Sequence, residues 1–290
     1  MVAYPKGQKF TISLNRGQSI QFQSVKAQDA DNYDVSGTII HANVGVDIMA
    51  GSACPNIPPD YPYCDQVCDQ IPPTRAWAET YYTTNPIQPA GMTGHDFSLY
   101  DIISSVPNQE IDRTDATTGK HVEAILGPTF DHYYVEEESA NKWTSTAPFL
   151  LVQYLNSSTY PDRVNGNGDP AECCITPAEN FTKNVVFETP TSVGAQAPYD
   201  NYANVIVDVN DEKNVTFDGK KITDNTHQPI DGKYEVFIVP HIVPAAHVVK
   251  SDSGVGVYIY GYGYDESYMW GGGFGNGTFH SPDTISRPQE

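Results

Sequence analysis

The residues of this 290-residue chain with side chains suited to chemistry are five cysteines, eight histidines, four sequons, a few acidic runs and one glycine-rich loop. Cys54 and Cys64 flank a turn-rich stretch and can close a short loop; Cys68 can then reach Cys173 or Cys174, which as chain neighbours bridge each other only under strain. Five is odd, so one thiol stays free or pairs between chains. The rival is zinc, but Cys64 and Cys68 have no second pair at ligand spacing and no nearby His. The sequons at Asn156, Asn180, Asn214 and Asn276 would accept glycans on a eukaryotic secretory route.

Catalytic arrangements are weakly represented. Asp131 with Glu136, Glu137 and Glu138 is the densest carboxylate cluster, and paired carboxylates serve glycoside hydrolysis. Consecutive strand residues alternate faces, however, so such a run reads as a solvated edge. The stretch 208–211 opens like a calcium loop but lacks its sixth-position Gly and closing Glu, and so reads as a turn, with the acidic turn 29–34 as weak a candidate. The histidines at 41, 95, 121, 132, 227, 241, 247 and 280 are scattered. Pro240 and Pro244 break any helical metal face between His241 and His247. The loop 271–277 has no following Lys-Ser/Thr and no helix, so it reads as a close-packing segment rather than a phosphate cradle. With no G-x-S-x-G present, the reading is a protein that is not an enzyme and needs no cofactor or metal.

Composition fixes the scaffold these residues sit on. There are 25 Val, 20 Ile, 23 Thr and 19 Tyr against 6 Leu, a balance that suits pleated half-buried surfaces and predicts an all-β fold. A net charge of -20 argues against nucleic acid and anionic membrane surfaces as partners. No apolar run approaches the roughly 18 residues that span a bilayer. Residues 1–7 lack the regions of a signal peptide, so the sequons are reconciled most simply if residue 1 lies inside a longer precursor.

An internal repeat organises the chain. Ile71-Pro72-Pro73-Thr74-Arg75-Ala76-Trp77 aligns with Ile175-Thr176-Pro177-Ala178-Glu179-Asn180-Phe181, and Tyr81-Tyr82-Thr83 then Pro86 align with Val185-Val186-Phe187 then Pro190, at an offset of 104. A strand-turn-strand element recurs three times, its small residue falling at Ala42, Ser145 and Ser251. The repeat predicts three tandem β-sandwich-like units over 1–86, 97–190 and 199–275, with an extended tail over 276–290. Units 2 and 3 each open with a strand that unit 1 lacks, and an uncovered sheet edge invites another chain. Tyr258, Tyr260, Tyr262 and Tyr264 alternate at period two, which places four rings on one strand face, either buried or presented to a protein or glycan partner.

The run Cys54-Pro55-Asn56-Ile57-Pro58 through Tyr63-Cys64-Asp65-Gln66-Val67-Cys68-Asp69-Gln70-Ile71-Pro72-Pro73 resembles the N-terminal domain family of IgGFc-binding protein. So do Gly168-Asp169-Pro170-Ala171, Phe217-Asp218-Gly219, and Gly256-Val257-Tyr258-Ile259-Tyr260-Gly261-Tyr262-Gly263 before Ser267-Tyr268. The resemblance covers most of residues 1–275. It implies a secreted or surface module of mucus-type and adhesive proteins, β-rich and without catalysis. Cys54 and Cys64 fall where that family carries a cysteine pair, whereas Cys68, Cys173 and Cys174 depart from it, and no antibody-binding residue maps onto this chain. The reading is therefore an extracellular, glycosylated structural protein that self-associates into filaments, its tail from Phe279 to Glu290 acting as a donor strand. The alternative is a monomeric adhesion module for a protein or glycan ligand.

Overall fold

A computed structural model describes residues 4–5, 7–24, 35–59, 63–87, 98–116, 118–127, 132–137, 140–157, 168–191, 198–222 and 227–275, with the backbone alone over 122–127 and 132–137. It forms two compact units, Met1–Ser36 and Gly37–Glu290. The described part of the first holds no strand. Its chain reverses at turns closed by the Gln8 amide donating to the Pro5 carbonyl and the Gln18 amide to that of Asn15. The rings of Tyr4 and Phe10 stack at 3.7 Å. Alternate apolar residues Phe10, Ile12 and Leu14, then Ile20 and Phe22, are all exposed.

The second unit is all-β, as Val, Ile, Thr and Tyr enrichment requires. Its strands are β1 (Met49–Ser52), β2 (Val67–Gln70), β3 (Ala78–Thr83), β4 (Ser98–Ser104), β5 (Gln109–Asp115), β6 (His121–Gly127), β7 (His132–Glu137), β8 (Asn141–Leu155) and β9 (Ala171–Cys174). There follow β10 (Thr182–Glu188), β11 (Asp200–Asp208), β12 (Thr216–Phe217), β13 (Lys220–Lys221), β14 (His227–Pro229), β15 (Tyr234–Ile242), β16 (Ala246–Gly263) and β17 (Glu266–Gly271). A hairpin joins β1 to β2. A seven-stranded sheet has the order β6-β5-β8-β4-β7, with β3 and β9 also on β8, and an eight-stranded sheet runs β13-β12-β16-β11-β15-β14, with β10 and β17 also on β16.

In each large sheet one long strand is the spine. The first half of β8 carries β3 and β5 while its second half carries β4 and β9. β16 repeats this with β10 and β12, then β11 and β17. The halves enclose apolar side chains: Val185 and Phe187 of β10 share one core with Val205 and Val207 of β11 and Val249 and Val257 of β16. Short 3-10 turns at Thr74–Ala76 and Ala178–Asn180 precede β3 and β10, so the 104-residue offset is a structural one. The tight turn before β13 places Asp218 and Gly219 at φ +51° and +75°, a left-handed conformation that glycine adopts without strain.

Two features differ from the sequence reading. Of three expected sandwich-like units, two large sheets are seen, and the region of the first contributes the separate β1-β2 hairpin and the strand β3 among the described residues. The strands expected to close units 1 and 2, β3 and β10, instead pair with β8 and β16 of the following unit. Each sheet thus includes a strand that leaves the preceding repeat.

Candidate functional site

The cysteines divide cleanly. Cys54 and Cys64 form a disulfide. Cys68, Cys173 and Cys174 are free, so the expected second bridge is absent; Cys68 is exposed on β2, whereas Cys173 and Cys174 are buried on β9. Burial, then the nearby Asp69 carboxylate, pushes the Cys173 and Cys174 thiols up, away from the reactive thiolate. The Cys174 amide donates to Asp69 at 2.7 Å, which ties β2 to β9. Beside this bond Glu172, only 8% exposed, is pushed up to about 8 by burial and by Asp69 and Asp101.

Of the two alternatives for the tyrosine stripe, three rings take the buried one and are corrected as partner-binding candidates. Tyr258, Tyr260 and Tyr262 are 1%, 0% and 3% exposed, and Tyr264 alone is open at 52%. The three inner rings lie in the core shared by the two large sheets, because β16 is paired on both sides and one of its faces meets the preceding repeat. They are not available to a partner. Their hydroxyls are used internally: Tyr258 donates to the Thr176 carbonyl at 3.1 Å and Tyr260 to Asn204 at 3.1 Å.

Sequons are placed unequally. Asn156 is 2% exposed and Asn180 is 1%, and the Asn180 amide nitrogen, the atom a glycan would occupy, donates to the Ala76 carbonyl at 2.8 Å. Asn214 is exposed, and Asn276 lies outside the described residues.

Polar clusters resolve into supports for loops. Asp211 accepts the amides of Asp252 and Ser253 and the hydroxyls of Ser251 and Ser253, and these bonds hold its carboxyl well below the usual range even against burial, so 208–211 is a turn anchor. His121, His227, His241 and His247 each pair with a carboxylate at 2.7–2.9 Å. The Thr189, His247 and Asp218 side chains adjoin in the manner of a nucleophile-base-acid set. Here Nδ1 faces Asp218 at 2.8 Å and Nε2 faces the Val243 carbonyl at 2.8 Å, while the Thr189 hydroxyl points to that same carbonyl at 3.0 Å. The Thr189 hydroxyl also lies 3.3 Å from His247 Nε2, and the contacts of the three side chains with the Val243 carbonyl and the Val248 amide tie the strand ends together. Asp131, Glu138, the turn 29–34, His95 and His280 lie outside the described residues, as do the side chains of His132, Glu136 and Glu137. No three metal-ligating side chains gather among the described residues.

Among the described residues a cleft of about 540 Å³ lies between the end of β10, with Val186, Glu188 and Pro190, and the Trp270 to Gly273 stretch at the end of β17. Trp270 stacks on Tyr268 at 4.2 Å. Gly272 is required in its wall, since a Cβ there would lie 2.5 Å from Val185 and 3.0 Å from Val257. Sequence reasoning missed this cleft because its walls come from segments about 80 residues apart; the one available signal is that Pro190 repeats Pro86 at the 104-residue offset.

A family model described as IgGFc binding protein matches residues 1–261, and the chain belongs to that family, whose members are typically extracellular binding or structural modules. No curated protein and no solved structure matches the chain significantly. No helix among the described residues is long and apolar enough to cross a membrane.

Proposed function

We propose that the protein is an extracellular, non-catalytic assembly module that self-associates, the region before β1 taking up a strand from the segment 279–290 of another copy. The observation that carries this reading is the exposed alternating run Phe10, Ile12, Leu14 with Ile20 and Phe22 in the first unit; in the second unit, taken by itself, Ile39, Ile40, Val44 and Val46 before β1 are exposed as well. Single exposed apolar residues are ordinary, but alternating ones without a strand partner are the form that β-augmentation fills. The disulfide suits an oxidising compartment. Deleting 279–290 should abolish self-association while leaving the thermal midpoint unchanged, and a truncated protein that still assembles would exclude this tail as the donor.

A second reading, an adhesive module for a protein or glycan, is favoured by the family description and by the open Tyr264 ring. Under it, Tyr264→Ala weakens partner capture without loss of stability.

A further inference from the structure

The two large sheets meet in one defined way, and the same surfaces are open at both ends of the repeat array. At the occupied junction, the end of β3 and the residues leaving β9 receive the next repeat. The Tyr82 and Tyr234 rings lie 4.6 Å apart, Thr84 Oγ1 accepts from Asn204 at 2.6 Å, the Ile87 amide donates to the Tyr260 hydroxyl at 2.8 Å, and the Thr176 carbonyl accepts from Tyr258. The 104-residue offset carries Tyr82, Thr84 and Pro86 onto Val186, Glu188 and Pro190. Strand register carries Cys174, opposite Val152, onto Gly271, opposite Tyr258, and therefore Cys173 onto Trp270 and Thr176 onto Gly273. These are the walls of the open cleft. The cleft is the third repeat's copy of the surface on which the third repeat itself sits.

The complementary face can be found in the same way. The pairs Met49 with Gln70, Val152 with Cys174 and Tyr258 with Gly271 place Met49, Val152 and Tyr258 at one position of the hairpin. Val152 is buried with Trp77 and Leu150, and Tyr258 is buried against the preceding repeat, but Met49 is 62% exposed. One copy thus offers an uncovered docking face at Met49 and an empty receiving cleft at Val186 and Trp270.

We infer that a second copy of this chain docks its Met49 face in that cleft, repeating between molecules the junction seen within one. The inference rests on the self-association reading and names its surface. Face and cleft are different patches, so the contact is heterologous and does not close on itself unless its rotation forms a ring; successive copies extend as a fibre.

The test is sedimentation velocity on the full chain and on Val186→Arg and Met49→Arg, which change residues 69% and 62% exposed and should leave the thermal midpoint in place. Wild type should sediment as a concentration-dependent series of oligomers, and each variant alone as monomer. An equimolar mixture should yield dimers and nothing larger, because one variant keeps the face and the other the cleft. Variants that assemble like wild type would overturn the docking surface while leaving self-association standing. A wild type that stays monomeric at every concentration would overturn self-association itself, and the docking with it.

Discussion

Replacing Glu172 by Gln should remove a pH-dependent weakness at the junction of the β1-β2 hairpin with β9. The carboxyl takes hydrogen bonds from the Asp69 amide and the Tyr154 hydroxyl, but burial and the carboxylates of Asp69 and Asp101 outweigh them, and its titration point moves from an ordinary 4.5 to about 8. Between those values the folded chain holds a proton that the unfolded chain releases, so stability is full below pH 4.5 and falls as pH rises towards 8. At about 1.4 kcal/mol per tenfold change in proton affinity the ceiling is about 5 kcal/mol, and solvent relaxation around a carboxyl that is 8% exposed reduces it to about 2 kcal/mol. In a chain of this size that is a shift of about 3 °C in the unfolding midpoint. Glu179, Glu235 and Glu266 are also raised by burial, so the quantity to read is the difference between wild type and Glu172→Gln in melts from pH 4.5 to 8.5. The variant should gain on wild type steadily as pH rises. Parallel curves would refute the assignment of a proton to Glu172 in the folded protein.

Other consequences are as direct. Trp143, fully buried, donates through Nε1 to Thr83 at 2.9 Å and lies 5.2 Å from the Tyr100 ring, so Trp143→Ala should cost about 4 kcal/mol in urea denaturation. Asp211→Ala strands the amides of Asp252 and Ser253 and should destabilise by about 2–3 kcal/mol; wild type should lose that contribution as pH falls through the depressed titration point of Asp211. Expressed through a eukaryotic secretory route, the protein should lose glycan mass on Asn214→Gln but not on Asn156→Gln or Asn180→Gln, as read by intact mass. With a net charge of -20, self-association should strengthen as salt is added, measured by light scattering.

Much of the scaffold is legible in the residues, because strand preference is local chemistry. Val, Ile, Thr and Tyr enrichment identifies a β protein, and the Ile-x-Pro copies at 71 and 175 locate two equivalent 3-10 turns and the strands after them. The Cys54 to Cys64 bridge follows from a short intervening turn and from the family pattern. The destination of β3 and β10 is not legible, since pairing with β8 and β16 joins residues about 60 apart, and nothing local in Tyr81 or Val185 names the sheet each joins. Alternation in 258–264 shows that the rings share a face, whereas its burial depends on a neighbouring repeat. A sequon is a three-residue pattern blind to depth, which is why Asn180 reads as an acceptor and lies in the interior.

The most direct test of the account is negative-stain electron microscopy of the natively purified, non-reduced full chain beside Val186→Arg. Head-to-tail assembly predicts filaments of wild type with one molecule per repeat and isolated particles of the variant. Isolated particles in both samples would contradict it.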